Sequence, residues 1–353
     1  MVRKYLSIFI TWSFLTIVAL SEVKFFKGAC DASAAVALDS DIILVADDED
    51  NYLRIYSYDD PGLPISSFSL DDFLGVVDSS HPESDIEACT RVGNIIYWIT
   101  SHGRSKKGKW RSSRYRLFAT EILKINGNYK LRPLGRPCLN LIDALLKLDD
   151  LKLQKNIGVA GEDSGRKLAP KEYGLNIEGM TISADGKDLY IGMRNPVPGN
   201  RAILIPLKNI EDVIVRKSDP KLGAPIYLNL ANRGIRSIEY SSAHQMYFII
   251  AGSISGEDNS SIYSWSGDIK TDPKTIMPFS KLNPEAIAPI KDSKQLYVLS
   301  DDGNVKHRVK SNETNDQLIN GASSCKSLKD YKKKRFRVIS LNPKKIPNKS
   351  GDF

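Results

Sequence analysis

The chain has 353 residues, of which 41% are hydrophobic and 26% charged, with a formal net charge of +8. It is long enough to bury a large core, as one all-β body or as two small domains. Beyond its first twenty residues no stretch is apolar enough to cross a bilayer, which excludes a multi-span membrane protein.

In chain order, Arg3 and Lys4 precede an uncharged apolar run over residues 6–20, and Ala19-Leu20-Ser21 forms a small-x-small cleavage pattern before Glu22. This reads as a secretory signal peptide over 1–21, with an uncleaved anchor as the alternative, and it places the mature protein in the periplasm or outside the cell. Lys27-Gly28-Ala29 before Cys30 lacks the apolar residue of a lipoprotein signal. The four cysteines, Cys30, Cys89, Cys138 and Cys325, form neither a C-x-x-C pair nor a zinc pattern. Export permits up to two disulfides in three connectivities, and buried free thiols are the alternative.

Residues 22–27 (EVKFFK) read as a short strand without a hairpin of its own. Five hairpin units follow. Residues 31–36 pair with 42–46, and 86–89 with 95–99. The clearest unit is LNIEGMTISADGKDLYIGM from Leu175, with a turn signal at Asp185-Gly186. Residues 235–238 then pair with 246–250, and 284–287 with 295–299. Each unit is followed by a third and a fourth strand candidate, except the last, which has a third at 335–341 and no evident fourth. Residues 22–27 supply that strand and leave no sheet edge open. The expectation is a single all-β propeller over 22–342, built from five four-stranded blades, with a flexible tail at 343–353. Residues 136–173 read as an insertion with helical leucine spacing over 141–153; six blades is the alternative if this segment hides another.

The long loops 71–84, 102–114, 136–173 and 302–334 all fall at one end of the blades, where function concentrates on a rigid scaffold. At that end three first strands begin with Glu87, Glu178 and Glu285; the fourth puts Arg236 there, and the first has Asp31 nearby. Asp47, Asp48, Glu49, His102, Arg104, Arg194, Asn195, Asp301 and Asp302 stand at neighbouring strand ends. Converging carboxylates need a cation, a shared proton or local arginines.

Three readings follow. Asp48, Glu87, Glu178 and Glu285 form an oxygen-rich site for Ca2+. Or the site is a hydrolase, with His102 or Glu178 activating water while Arg104, Arg194, Asn195 and Arg236 hold an anionic substrate. Or the carboxylates and arginines are architecture that closes the channel. His81, His244 and His307 read as ordinary loop or surface residues. Residues 104–116 hold seven basic residues and 329–337 hold six, so the expected partner is a small anionic ligand or an anionic polymer. Nucleic acid is excluded by export, no membrane span remains after signal removal, and a monomer is expected. No G-x-S-x-G elbow, phosphate-binding loop or dinucleotide fingerprint is present.

The segments CDASAAVAL from Cys30, ILVADDEDNYLRIY from Ile43, IYWITSHGRSKKGK from Ile96, LNIEGM from Leu175, GMRNPVPGNRAILIPL from Gly192 and NRGIRSIE from Asn232 resemble, in order, the motifs of the bacterial family called domain of unknown function 3616. More distantly the arrangement is similar to phytase-like and esterase-like propellers, which implies calcium and phosphate or lactone esters by analogy of fold alone. Asp48, Glu49, His102, Arg104, Glu178, Arg194, Asn195 and Arg236 fall within the quoted motifs.

Overall fold

The computed structural model describes residues 22–148, 151–163, 165–255 and 259–343. The expected signal peptide and all but the first residue of the expected tail lie outside them. Twenty of the strands form five four-stranded antiparallel sheets. Blade 1 is β2 (Ala32–Ala37), β3 (Ile42–Asp47), β4 (Tyr52–Ser57) and β5 (Ser66–Ser69). Blade 2 is β6 (Ile86–Val92), β7 (Ile95–Thr100), β8 (Leu117–Ile125) and β9 (Asn128–Cys138). Blade 3 is β10 (Asn176–Ile182), β11 (Leu189–Asn195), β12 (Ala202–Leu207) and β13 (Ile226–Leu228). Blade 4 is β14 (Gly234–Ser241), β15 (Met246–Gly252), β16 (Ser261–Trp265) and β17 (Lys274–Pro278). Blade 5 is β18 (Pro284–Pro289), β19 (Leu296–Ser300), β22 (Arg335–Leu341) and β1 (Lys24–Lys27).

The five first strands contact one another in the cyclic order β2, β6, β10, β14, β18 and back to β2, which makes the closed ring of a propeller. Five blades, not six, is therefore the architecture. Second strands such as IIYWIT and MYFIIAG are buried almost throughout, because both of their faces pack against neighbouring blades. Outer strands are exposed or half-buried at nearly every position, as the burial of β5 and β9 shows.

Ring closure follows the expected route. β1 pairs antiparallel with β22, Phe26 opposite Phe336. These two fully buried rings stack at 5.5 Å, and Tyr56 of blade 1 meets each of them edge-on. Cys30 and Cys325 form a disulfide across the same seam, while Cys89 and Cys138 are buried free thiols.

Among the described residues the insertion carries two short α-helices rather than one, α1 being elsewhere at Asp71–Leu74: α2 spans Leu141–Leu146 and α3 Gln154–Ile157. Leu141, Ile142, Leu145, Leu153 and Ile157 bury against blades 2 and 3 in one core with Ile177 and Met180. A further helix, α4 (Ile210–Val215), lies between the third and fourth strands of blade 3 and was not anticipated. It packs on β9 at Gly135, whose φ is +64° and where an added Cβ would sit 2.1 Å from the carbonyl oxygen of Ile214. The loop expected over 302–334 carries a small hairpin, β20 (Lys306–Arg308) with β21 (Ala322–Ser324). Among the described residues no helix is long and apolar enough to cross a membrane.

Candidate functional site

Each inner strand carries a β-bulge at the same place. In blade 1 the register steps from Ala32 to Ala34, in blade 2 from Ile86 to Ala88, and in blade 3 from Ile177 to Gly179. It steps from Ile235 to Ser237 in blade 4 and from Pro284 to Ala286 in blade 5. The extra residue left unpaired at each bulge is Ser33, Glu87, Glu178, Arg236 and Glu285 in turn. A bulge re-aims its side chain, and here it makes one five-membered ring around the axis. Ser33, not Asp31, is thus the blade 1 equivalent, and its hydroxyl donates to the carbonyl of Ile86 at 2.6 Å.

Two residues before each bulge, four of the five blades place a carboxylate or amide: Asp31, Asp85, Asn176 and Asn283. Asn176 donates to Glu178 Oε1 at 2.7 Å, and Asn283 accepts from Arg236 while donating to Asp301 at 2.9 Å. Of this row the sequence reading names only Asp31, and Asp85, Asn176 and Asn283 are additions from the structure. The repeated spacing of two to the bulge residue is the signal that finds all three.

A cavity of about 1040 Å³ opens over this ring on the loop-rich face. Its walls include Asp48, Glu87, Glu178 and Glu285, together with Asp31, Glu49, Asp85 and Asp301. All four long loops contribute to it, through residues such as His81, Lys106, Lys171 and Lys326.

The charges divide into two halves. On the side of blades 3 to 5, Arg194 donates to Glu178 Oε1 at 2.6 Å and to the carbonyl of Ser253 at 3.0 and 3.1 Å. Arg236 lies 3.6 Å from Glu178 Oε2 and forms an ion pair with Glu285. Burial first, and then the charge of Arg194, lower Arg236 to about 10. Glu178 and Glu285, expected as metal ligands, are thus neutralised by arginines.

On the side of blades 1 and 2 the carboxylates outnumber their partners. Oxygens of Asp48, Asp85 and Glu87 lie within 4.8 Å of one another, and so do those of Asp31, Asp48 and Glu49. Arg114 pairs with Asp85 at 2.9 Å, and Lys326 with Glu49 at 2.6 Å. Asp48 Oδ1 is buried without a hydrogen-bond partner. Burial, followed by the charges of Glu87, Asp31, Asp47 and Asp85, pushes Asp48 well above the usual carboxylate range. Burial and then Glu178 and Asp85 do the same to Glu87, and burial with Asp301 and Asp47 raises Asp31 to about 9. Such a cluster favours whatever brings positive charge: protons or a hard cation.

Of the remaining expected residues His102, Arg104 and Asn195, only Arg104 reaches the cavity wall. His102 is buried, its Nδ1 2.9 Å from the carbonyl oxygen of Thr100, and it does not line the cavity. Burial lowers it to about 4, so it is neutral at physiological pH. Arg104 lies over Trp110 and donates to the carbonyls of Ile157, Val159, Gly108 and Glu162, holding the insertion against blade 2. Asn195 donates to the carbonyl of Gly174 at 2.6 Å, fastening the other end of the same insertion. Lys106, Lys107, Arg111 and Lys171 join Arg104 along the cavity's cationic side.

Among solved structures, the PQQ-bound aldose sugar dehydrogenase of Streptomyces coelicolor is similar over 91% of this chain and 98% of its own, at 12% identity and a TM-score of 0.41. Glutaminyl cyclase of Myxococcus xanthus is similar over 79% and 89%, at 11% identity and a TM-score of 0.41. A structural genomics protein of unknown function from Bacteroides thetaiotaomicron covers 90% and 76%, at 10% identity and a TM-score of 0.39. Likeness at this level assigns no chemistry. No curated protein matches the sequence. A family model described as "Protein of unknown function (DUF3616)" matches residues 31–136 and 137–302, and the chain belongs to that family.

Proposed function

We propose that the protein binds a small oxyanion, of the phosphate-ester or carboxylate class, through a hard divalent cation of the calcium type in the mouth of the propeller. The observation that supports this reading is the pocket formed by Asp48, Asp85 and Glu87, whose oxygens converge within 4.8 Å while Asp48 Oδ1 has no hydrogen-bond partner. Three carboxylates carry six oxygens, of which Asp85 Oδ2 already faces Arg114 at 2.9 Å, and an oxygen-only set of this kind suits calcium; zinc is disfavoured because no histidine or cysteine joins them. The resident cation would supply charge to draw in the oxyanion. This chain's own residues do the rest: Lys106, Lys107, Arg111 and Lys171 attract the anion at the rim. The paired Arg194–Glu178 and Arg236–Glu285 groups keep the opposite wall rigid and near-neutral. His102 and the arginine-bound Glu178 are not placed as bases in this reading, so binding, not turnover, is its content.

The test is a thermal-shift screen of the mature protein with calcium and magnesium, alone and with a panel of phosphorylated and lactone compounds, followed by product analysis of hits. Calcium should raise the melting temperature, Asp48→Asn should remove that rise, and anion binding should depend on calcium. If no ion shifts the wild-type melting temperature, the reading fails. Product formation from any hit would make the site a hydrolase.

A further inference from the structure

The cation site just proposed has an unequal neighbour, and the inference that follows rests on that reading. Asp48 belongs to two carboxylate triads, one with Asp85 and Glu87 and one with Asp31 and Glu49. Among the described residues no ion pair reaches Asp48 or Glu87. Arg114 reaches only Asp85 of the first triad, at 2.9 Å, whereas a single ammonium reaches two members of the second. Lys326 Nζ lies 2.6 Å from Glu49 Oε1 and 3.9 Å from Asp31 Oδ1.

The backbone delivers that ammonium to its place. Cys325, next to Lys326, is disulfide-bonded to Cys30, next to Asp31, so the covalent link joins the immediate neighbours of an ion pair 295 residues apart in sequence. Lys326 N–H donates to the carbonyl of Gly303 at 3.1 Å, and Asp302 N–H to the carbonyl of Cys30 at 2.8 Å. The fixed backbone aims the Lys326 side chain, which is only 23% exposed, at Glu49 and Asp31. An ammonium and a divalent ion need the same carboxylate oxygens, and two cations side by side on one shared carboxylate repel.

We propose that Lys326 is a built-in cation filling the second of two adjoining cation subsites, so that the protein takes one divalent ion at Asp48–Asp85–Glu87 and keeps Asp31–Asp48–Glu49 closed to another. The lysine therefore sets the metal stoichiometry of the site. It also stands beside the ion as a fixed positive charge, which favours an oxyanion bridging metal and ammonium over one that bridges two metals.

The experiment is calcium titration by calorimetry, with elemental analysis of the protein after gel filtration, on wild type and Lys326→Met. The expected result is one calcium per chain in wild type and two in the variant. Lys326→Gln, which keeps a hydrogen-bond donor near Glu49, is the second variant in case Lys326→Met folds poorly, and it should show the same rise of one ion. Wild type binding two ions, or both variants binding one with unchanged affinity, overturns the inference and leaves the cation site standing. No calcium on any of the three proteins overturns the cation reading itself.

Discussion

Arg194 donates to Glu178 Oε1 over 2.6 Å between two side chains that are each about 95% buried. Removing one partner of such a pair leaves an uncompensated charge inside the channel, whereas removing both leaves none. Arg194→Ala should therefore cost about 3–5 kcal/mol, and Arg194→Ala with Glu178→Gln should cost less than the two single changes added together. Urea unfolding of the three variants measures this. A loss below about 1 kcal/mol for Arg194→Ala would mean that the arginine behaves as a surface residue.

The alternating burial of β1 gives a second prediction. Phe26 is fully buried against Phe336 and Tyr56, while its neighbour Phe25 is 46% exposed. Phe26→Ala opens a cavity at the seam where the ring closes and should cost about 3–5 kcal/mol. Phe25→Ala removes only a contact with Arg335 and should cost under about 1 kcal/mol. Similar melting temperatures for the two variants would show that β1 does not close the ring.

How much of this was legible in the sequence follows from the range of the interactions. The hairpins are local: alternating apolar runs around Asp185-Gly186 and its counterparts announce the blades, and Phe25-Phe26 announces the closing strand. Glu87, Glu178, Glu285 and Arg236 were visible because the bulge recurs at one place in each repeat. The bulge itself was not, since it shows only as a register step between paired strands, and so Ser33 escaped notice as the fifth member. Arg104 and Asn195 were expected from their place at strand ends and within the motifs, but carbonyls of the insertion claim their donors. Lys326 could not be found at all, because its partners Glu49 and Asp31 lie 277 and 295 residues away and nothing local marks a lysine that will meet them. Helix α4 has only six residues, too few to show a period.

Of the three possible connectivities of the four cysteines, only one joins the ends of the ring. The Cys30–Cys325 link spans 295 residues of the chain, and Cys89 and Cys138 are buried. Denatured protein should therefore show two reactive thiols without reductant and four with it, and native protein should react slowly. Replacing both linked cysteines by serine should cost about 2–5 kcal/mol. Four reactive thiols in unreduced denatured protein would show that the bond does not form.

His102 supplies a prediction for pH. Its ring is buried and held by the carbonyl of Thr100, and burial brings it from 6.5 down to about 4. The folded protein therefore carries a neutral imidazole at pH values where the unfolded chain has already taken up a proton. Unfolding then binds a proton between about pH 6.5 and about pH 4, so this residue's contribution is fully present above that window and is lost as the pH falls through it. The loss approaches about 3 kcal/mol at the acid end, at roughly 1.4 kcal/mol per pH unit. The backbone here is left-handed, with φ of +50°, a conformation that asparagine also tolerates. His102→Asn should thus fold without titrating in this range. The carboxylates of the cavity titrate in both proteins, so the difference between the two stability curves isolates the histidine. Chemical unfolding at a series of pH values should show wild type losing ground to His102→Asn as the pH drops from 7 to 4. Parallel curves would mean that the buried ring accepts a proton in the folded protein.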